Sequence, residues 1–247
     1  MLALACRHRG RGRSILRGMK SAAIVLAAGR GERLGGKTPK AFVSLAGKTL
    51  LEHALERLLS FQGLARVQPV ISPEGVGLYA DLALPVDARL AEPVLGGASR
   101  QDSVAAGLDA LPPEFDLVAI HDAARCRVSS DDVARVVAEA EKFGAAVLAC
   151  PARDTVKHVE EGVVISSPER RACWIAQTPQ VFHRSLYQAA LEKARADRFE
   201  GTDDAQLVER LGTPVRVVEG DPGNIKITLP DDLALAEHLI SREEAGR

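Results

Sequence analysis

The chain has 247 residues, 46% of them hydrophobic and 26% charged, with only 4% aromatics, a composition that suits one globular α/β-sized domain around a single core. Its apolar runs are no longer than a strand, which excludes a membrane span, and four widely spaced cysteines (Cys6, Cys126, Cys150, Cys173) without a CxxC pair exclude a disulfide framework or structural zinc site and suit the cytoplasm. The net charge of −1 conceals a basic leader: residues 1–20 hold six Lys and Arg and no acid, leaving 26 basic against 33 acidic residues and a net of −7, so nucleic acid is not an expected partner of the body.

Residues 1–18 read as a disordered leader or an upstream start ahead of Met19, and 19–247 as one domain. SAAIVLAAG (21–29) is an apolar run ending in glycine, the pattern of a strand covered on both faces of a parallel sheet. KTLLEHALERLLSF (48–61) has helical spacing, VQPVIS (67–72) is strand-like, and SRQDSVAAGLDAL (99–111) is helical with Ser99 as its N-cap. DLVAIHDAA (116–124) is a second buried strand running into a polar loop. SSDDVARVVAEAEKFG (129–144) has a serine cap, acids in its first turn and a glycine stop, and the strand AAVLAC (145–150) follows.

Residues 151–178 break this rhythm. The β-branched runs TVKHV and GVVIS flank a Glu-Gly turn, which predicts a protruding hairpin over about 152–175. A two-stranded ribbon needs something to pack on, and a second copy of the chain, paired through this β-arm, is the expected answer. The α/β pattern then resumes in RSLYQAALEKARA, TDDAQLVERLG, PVRVVEG, the β-like NIKIT and PDDLALAEHLI. The chain ends some seven residues beyond that last helix, so no second domain is expected. Strands alternating with helices predict a doubly wound parallel sheet. Ligand-binding residues are then expected just past the strands, in 29–40, 95–103, 121–127 and 151–157.

The loop GRGERLGGKTPK (29–40) allows three readings. A dinucleotide fingerprint starts correctly at Gly29 and Gly31 but meets Leu34 at its third position. Gly31 to Thr38 spells a phosphate loop, G-x-x-x-x-G-K-T, and VAIHD (118–122) could pass as its partner strand. Pro39, however, pushes Thr38 toward extended geometry where such a loop begins a helix. The third reading is an extended loop around a nucleoside triphosphate. Gly29 and Gly31 let backbone N–H groups approach phosphate oxygens, Arg33 and Lys40 supply the cations, and Lys37 is a bystander.

With that loop, LGGASRQDSV (95–104), HDAAR (121–125), RDTVK (153–157), TPQVF (178–182), TDDA (202–205) and NIKIT (224–228) occur in order. Together they resemble the 2-C-methyl-D-erythritol 4-phosphate cytidylyltransferase family, over about residues 21–240. The resemblance implies a Rossmann-like fold with a mostly parallel sheet, and a β-arm that interlocks two subunits. It implies attack of a polyol phosphate on the α-phosphorus of CTP, with Mg2+ bridging the CTP phosphates, in non-mevalonate isoprenoid synthesis. Arg33 and Lys40 match the catalytic cations; Ala27, Ala28, Gly29, Gly31, Gly96, Gly97, Arg100, Ser103 and Asp122 match the CTP-binding positions.

For the polyol phosphate the resemblance implies Asp122, Arg125 and Thr155 around the hydroxyls and Thr178 and Lys226 at the phosphate. Arg170, from the neighbour's arm, completes that set, with Arg171 as fallback. Asp122 is also the one protein group implied at the metal. Two departures stand out: Ala98 replaces the acid of G-G-[DE], and Cys126 replaces a proline, which suggests a softer loop. His121 reads as structural. Ribitol-5-phosphate cytidylyltransferases share several of these motifs, so that activity, or another sugar-phosphate nucleotidyltransferase, is the alternative; a non-catalytic descendant fits poorly with Arg33, Lys40, Asp122 and Lys226 all retained.

Overall fold

The computed structural model describes residues 18–29, Gly31, Leu34 and 38–245. At its centre is β1 (Ser21–Ala27), whose run of small and branched apolar residues is buried on both faces. It pairs in parallel with β4 (Leu64–Ile71) on one side and β6 (Leu117–Asp122) on the other. The two-residue β5 (Val94–Leu95) closes the β4 edge. Beyond β6 lie β10 (Trp174–His183), β7 (Ala145–Pro151) and β11 (Arg216–Glu219), so the sheet order is β11-β7-β10-β6-β1-β4-β5. Only β10 runs against its neighbours, pairing antiparallel with both β6 and β7.

The alternation of side chains along β1 separates two cores. Ala23, Val25 and Ala27 pack with α1 (Leu50–Ser60), α4 (Ser130–Phe143) and α7 (Pro230–Ala245). Ala22 and Ile24 pack with α3 (Arg100–Ala110), α5 (Arg184–Ala196) and α6 (Asp204–Glu209). α3 lies unusually close to the sheet: a Cβ on Gly107 would meet Ile24 Cγ2 at 2.5 Å and Val70 Cγ2 at 2.9 Å. Helices on both faces of a nearly parallel sheet make the doubly wound arrangement that the sequence pattern predicts.

Local signals place the helix ends. Ser99 caps α3 in a reciprocal box with Asp102, Thr49 does the same for α1 with Glu52, and Ser129 caps α4. Gly144 ends α4 at φ +90°. The remaining elements are the one-turn α2 (Val76–Ala80), and β2 (Ser44–Leu45) paired with β3 (Lys48–Thr49) just before α1.

The structure alters two expectations. NIKIT is not a strand: 224–228 have no ladder partner and run as irregular chain. Its branched residues have the composition of a strand, but Ile227 N–H bonds to Ala124 O beyond the end of β6 and not to a strand. The hairpin does form, from β8 (His158–Glu160) and β9 (Val163–Ser166) about Glu161 and Gly162, which both have positive φ. Residues 174–178, however, belong to β10 in the main sheet, where Trp174 pairs with Pro151. Among the described residues no helix is long and apolar enough to cross a membrane.

Candidate active site

The chain switches sides at β1, going first to β4 and later to β6, and a crevice opens at the carboxyl ends of these strands. It forms a cleft of about 1050 Å³ that continues beside a second, more polar cavity of about 230 Å³. Three of the four predicted post-strand segments line them, and 151–157 does not.

The large cleft is built around small residues. Ala28, Gly96 and Ser103 converge so tightly that a Cβ on Gly96 would meet Ser103 Oγ at 2.6 Å and Ala28 Cβ at 2.7 Å. The Ser103 hydroxyl accepts from Gly97 N–H at 3.2 Å and donates to Ser99 O at 3.0 Å, which folds the Gly-Gly turn onto the N-terminus of α3. Ala27, Ala28, Gly29, Gly31 and Lys40 line the same cleft. Gly31 sits at φ +70° with its backbone against Lys40, and a Cβ there would lie 2.4 Å from Lys40 Cβ. Pro39 is extended (φ −54°, ψ 137°) ahead of a 3-10 turn, Lys40–Phe42. No α-helix starts before Leu50 among the described residues, so the chain does not make the loop-to-helix junction of a phosphate loop. Arg33 and Lys37 lie outside the described residues, as do residues 1–17 of the leader.

Between the two cavities stands Asp122 at the end of β6. Its Oδ1 accepts from Arg100 Nη2 at 3.2 Å, and its Oδ2 faces Lys226 Nζ at 2.7 Å. Burial alone would raise its pKa, but Arg100 and Lys226 outweigh that and hold the carboxyl well below the usual carboxylate range. Asp122 N–H donates to Thr178 Oγ1 at 3.0 Å, and Thr178 Oγ1 lies 3.0 Å from His121 Nδ1. His121 Nε2 lies 3.1 Å from Arg125 O, a carbonyl that can only accept. The proton therefore sits on Nε2, and the Thr178 hydroxyl donates to Nδ1. Burial drives the imidazole down to about 4, which keeps it neutral as this relay requires. His121 is fully buried with both ring nitrogens engaged inside the protein.

Arg125 spans the smaller cavity, with Nη1 donating to Asn224 O at 2.8 Å and Nη2 to Ala176 O at 2.9 Å. Burial lowers its pKa. Thr178 and Lys226 line the same cavity, while Thr155 and Arg170 stand exposed on the arm, outside both cavities of their own chain. Arg170 donates to Arg153 O at 3.2 Å, and Arg171 pairs with Glu169 at 2.6 Å. Ala98 lines the cleft without replacing the acid's charge. Cys126, where the sequence suggests a looser loop, is packed in the core, and burial pushes its thiol up to about 11.

Sequence reasoning missed Asp204. This carboxylate is buried; its Oδ2 accepts from Arg100 Nη2 at 2.7 Å and its Oδ1 from the Tyr187 hydroxyl at 2.6 Å. Burial opposes the charge on Arg100, but Asp204 and Asp122 together raise its pKa above the ordinary arginine value. Membership of Asp204 in the TDDA motif was the available signal; its partner is 104 residues away.

A doubly wound sheet with a glycine-rich loop after its first strand, and cations gathered around one ionised carboxylate at the strand ends, defines a nucleotidyltransferase-type α/β enzyme. Residues 21–242 match the family described as IspD, 2-C-methyl-D-erythritol 4-phosphate cytidylyltransferase. The chain is 42% identical over 228 residues to the enzyme of that name from Syntrophus aciditrophicus (strain SB), a match that covers 91% of this chain and 97% of the relative. A crystal structure of 4-diphosphocytidyl-2C-methyl-D-erythritol synthase from Anaerococcus prevotii superposes with a TM-score of 0.82 at 29% identity, over 90% of this chain and 96% of that one. The crystal structure of 2-C-methyl-D-erythritol 4-phosphate cytidylyltransferase from Thermus thermophilus gives 0.73 at 38% identity, over 90% and 100%. The chain belongs to the 2-C-methyl-D-erythritol 4-phosphate cytidylyltransferase family.

Proposed function

We propose that this chain couples CTP and 2-C-methyl-D-erythritol 4-phosphate to 4-diphosphocytidyl-2-C-methyl-D-erythritol and pyrophosphate. The observation that carries the reading is Asp122, ionised and held by Arg100 and Lys226 where a nucleotide-sized cleft meets a small polar cavity. CTP occupies the cleft along Ala27, Ala28, Gly29, Gly31, Gly96, Gly97 and Ser103, and the polyol phosphate occupies the smaller cavity. A phosphate oxygen of the polyol attacks the α-phosphorus of CTP; that P–O bond forms as the bond to the bridging oxygen breaks and pyrophosphate leaves. Two polyanions must meet in line, so positioning and cationic stabilisation do the catalysis. Lys40 and Arg33 take the triphosphate side. Lys226 and Thr178 take the incoming phosphate, and Asp122, relieved of Lys226 by that phosphate, turns with Arg125 to the hydroxyls.

The divalent metal of the reaction is read as Mg2+ carried on the CTP phosphates. Among the described residues no group of three or more His, Cys, Asp and Glu could hold a metal. Asp122 alone suits an ion that keeps most of its ligands from phosphate and water. When bound, Mg2+ neutralises charge on the phosphate oxygens. The reading includes a homodimer, with Arg170 of one arm serving the neighbour's site, and a cytoplasmic location, which suits the free thiols Cys126, Cys150 and Cys173. Pyrophosphate release tests it, crossing methylerythritol phosphate against ribitol phosphate and then CTP against the other three triphosphates. Release is expected from CTP with methylerythritol phosphate; its absence overturns the reading.

A further inference from the structure

Lys226 is carried on a segment that has no β-ladder to hold it, yet its ammonium lies 2.7 Å from Asp122 on the rim shared by both cavities. Two residues upstream, Asn224 is completely buried. Its Nδ2 donates to Thr178 O at 3.0 Å and to Gln177 Oε1 at 3.3 Å, both on β10. Its backbone N–H donates to Asp221 O at 2.9 Å, and its backbone carbonyl accepts from Arg125 Nη1 at 2.8 Å. A single residue therefore connects the Lys226 segment, the β10 backbone at Thr178 and the Arg125 guanidinium. These are the groups around the smaller cavity. On the nucleotide side the corresponding bracing is separate, made by Ser103, Gly97 and Ser99.

The chemistry at this position calls for an asparagine. Thr178 O can only accept, which orients the amide with its two N–H donors toward β10. Among the described residues, Asn224 pairs through its two amide donors and not through Oδ1. Its two donors are well placed for fixing the loop. Aspartate has the same shape and no donors, alanine has neither, and glutamine is a methylene too long for a fully buried site.

We propose that Asn224 is a positioning residue of the polyol-phosphate subsite: its amide donors lock the Lys226 segment to Thr178 and Gln177 of β10, and so set the backbone carbonyl that receives Arg125. The proposal rests on reading the smaller cavity as the polyol-phosphate site. Asn224→Ala and the near-isosteric Asn224→Asp are compared with the wild-type chain by steady-state kinetics in both substrates, by melting temperature and by crystallography. The expected result in both variants is a KM for methylerythritol phosphate raised by about tenfold or more, with the KM for CTP within about twofold. A merely structural role would lower kcat by reducing the active fraction and leave both KM values unchanged, and that result overturns the proposal. The variant crystal structure is expected to show Lys226 Nζ more than about 4 Å from Asp122; Lys226 found in its original place overturns it as well. If alanine prevents folding, the aspartate variant carries the test. A wild-type chain that releases no pyrophosphate sinks the functional reading instead, and the variant structure then decides the positioning claim alone.

Discussion

Arg100 and Asp122 each serve two partners of opposite charge, and the chain of contacts Lys226–Asp122–Arg100–Asp204–Tyr187 runs from the solvent rim into the core. Asp204 lines neither cavity, and its link to the site is its contact with Arg100. Asp204→Asn keeps the shape and removes the charge, leaving Arg100 to Asp122 alone. The expected outcome is a ten- to hundredfold lower kcat/KM, about 1.4–2.7 kcal/mol, while Tyr187→Phe loses a single hydrogen bond and falls only a few-fold. Wild-type kcat/KM in Asp204→Asn would remove Asp204 from the machinery. His121 makes a pH prediction at the same scale. Its folded pKa, held down by burial to about 4, lies below its ordinary value of 6.5. As pH falls through this window the unfolded chain binds a proton that the folded chain refuses, so stability is lost between about 6.5 and 4. The full loss is about 3 kcal/mol, of which about 2 kcal/mol has occurred by pH 5. Asp122, whose carboxyl is also depressed, adds to the loss at the acid end. Urea unfolding at pH 7 and pH 5 measures the difference. His121→Gln, which cannot titrate, is expected to shrink it by about 2 kcal/mol, and an unchanged difference would mean that His121 is not its source.

The loop after β1 shows how a glycine can serve the fold or serve a ligand. At Gly31 both backbone and space forbid a side chain, since φ is +70° and a Cβ would strike Lys40. Among the described residues, Gly29 has no protein atom within 4 Å of its would-be Cβ. Gly31→Ala is therefore expected to displace Lys40 and lower kcat. Gly29→Ala should leave the melting temperature unchanged and raise the KM for CTP, because only the nucleotide meets the new methyl. A Gly29→Ala enzyme with wild-type KM for CTP would take Gly29 off the triphosphate path. Elements governed by local chemistry were legible in the sequence. The Ser99 and Ser129 caps, the Gly144 stop and the all-apolar β1 each depend on neighbours a few residues away. Elements governed by distant partners were not. β10 holds the buried polar residues Gln177, Thr178 and Gln180, which read as a motif and not as a strand. Their partners are distant in the chain: Asp203 and Ala205 for Gln180, Asp221 and Asn224 for Gln177, His121 and Asp122 for Thr178. NIKIT misled in the opposite sense, since a strand-like composition makes no strand without an edge to join.

At the scale of the whole molecule, the arm carries a group of large apolar side chains that one chain leaves exposed. Val163, Val164 and Ile165 on β9 and Ile175 at the start of β10 are all more than half exposed, and Trp174 is 39% exposed. Exposed apolar side chains on a two-stranded ribbon call for a packing partner, and the proposed dimer supplies one as a second copy. Sedimentation at micromolar concentration is expected to give a dimer. The sharper test separates an arm that only joins subunits from one that also completes the neighbour's site. Lys40 lies in the cleft of its own chain, whereas Arg170 lies outside both cavities of its own chain. Lys40→Ala and Arg170→Ala homodimers are each expected to be nearly inactive. Mixed and allowed to exchange subunits, half of the dimers become hybrids, and each hybrid has one site with an intact Lys40 in its own chain and an intact Arg170 from the partner. Activity should return to about a quarter of wild type. If Arg170 worked within its own subunit, the hybrid would carry one defect in each site and mixing would restore nothing. Restoration thus requires both a dimer and a guanidinium delivered across it, and no restoration would remove Arg170 from the neighbour's site even if the chain is dimeric.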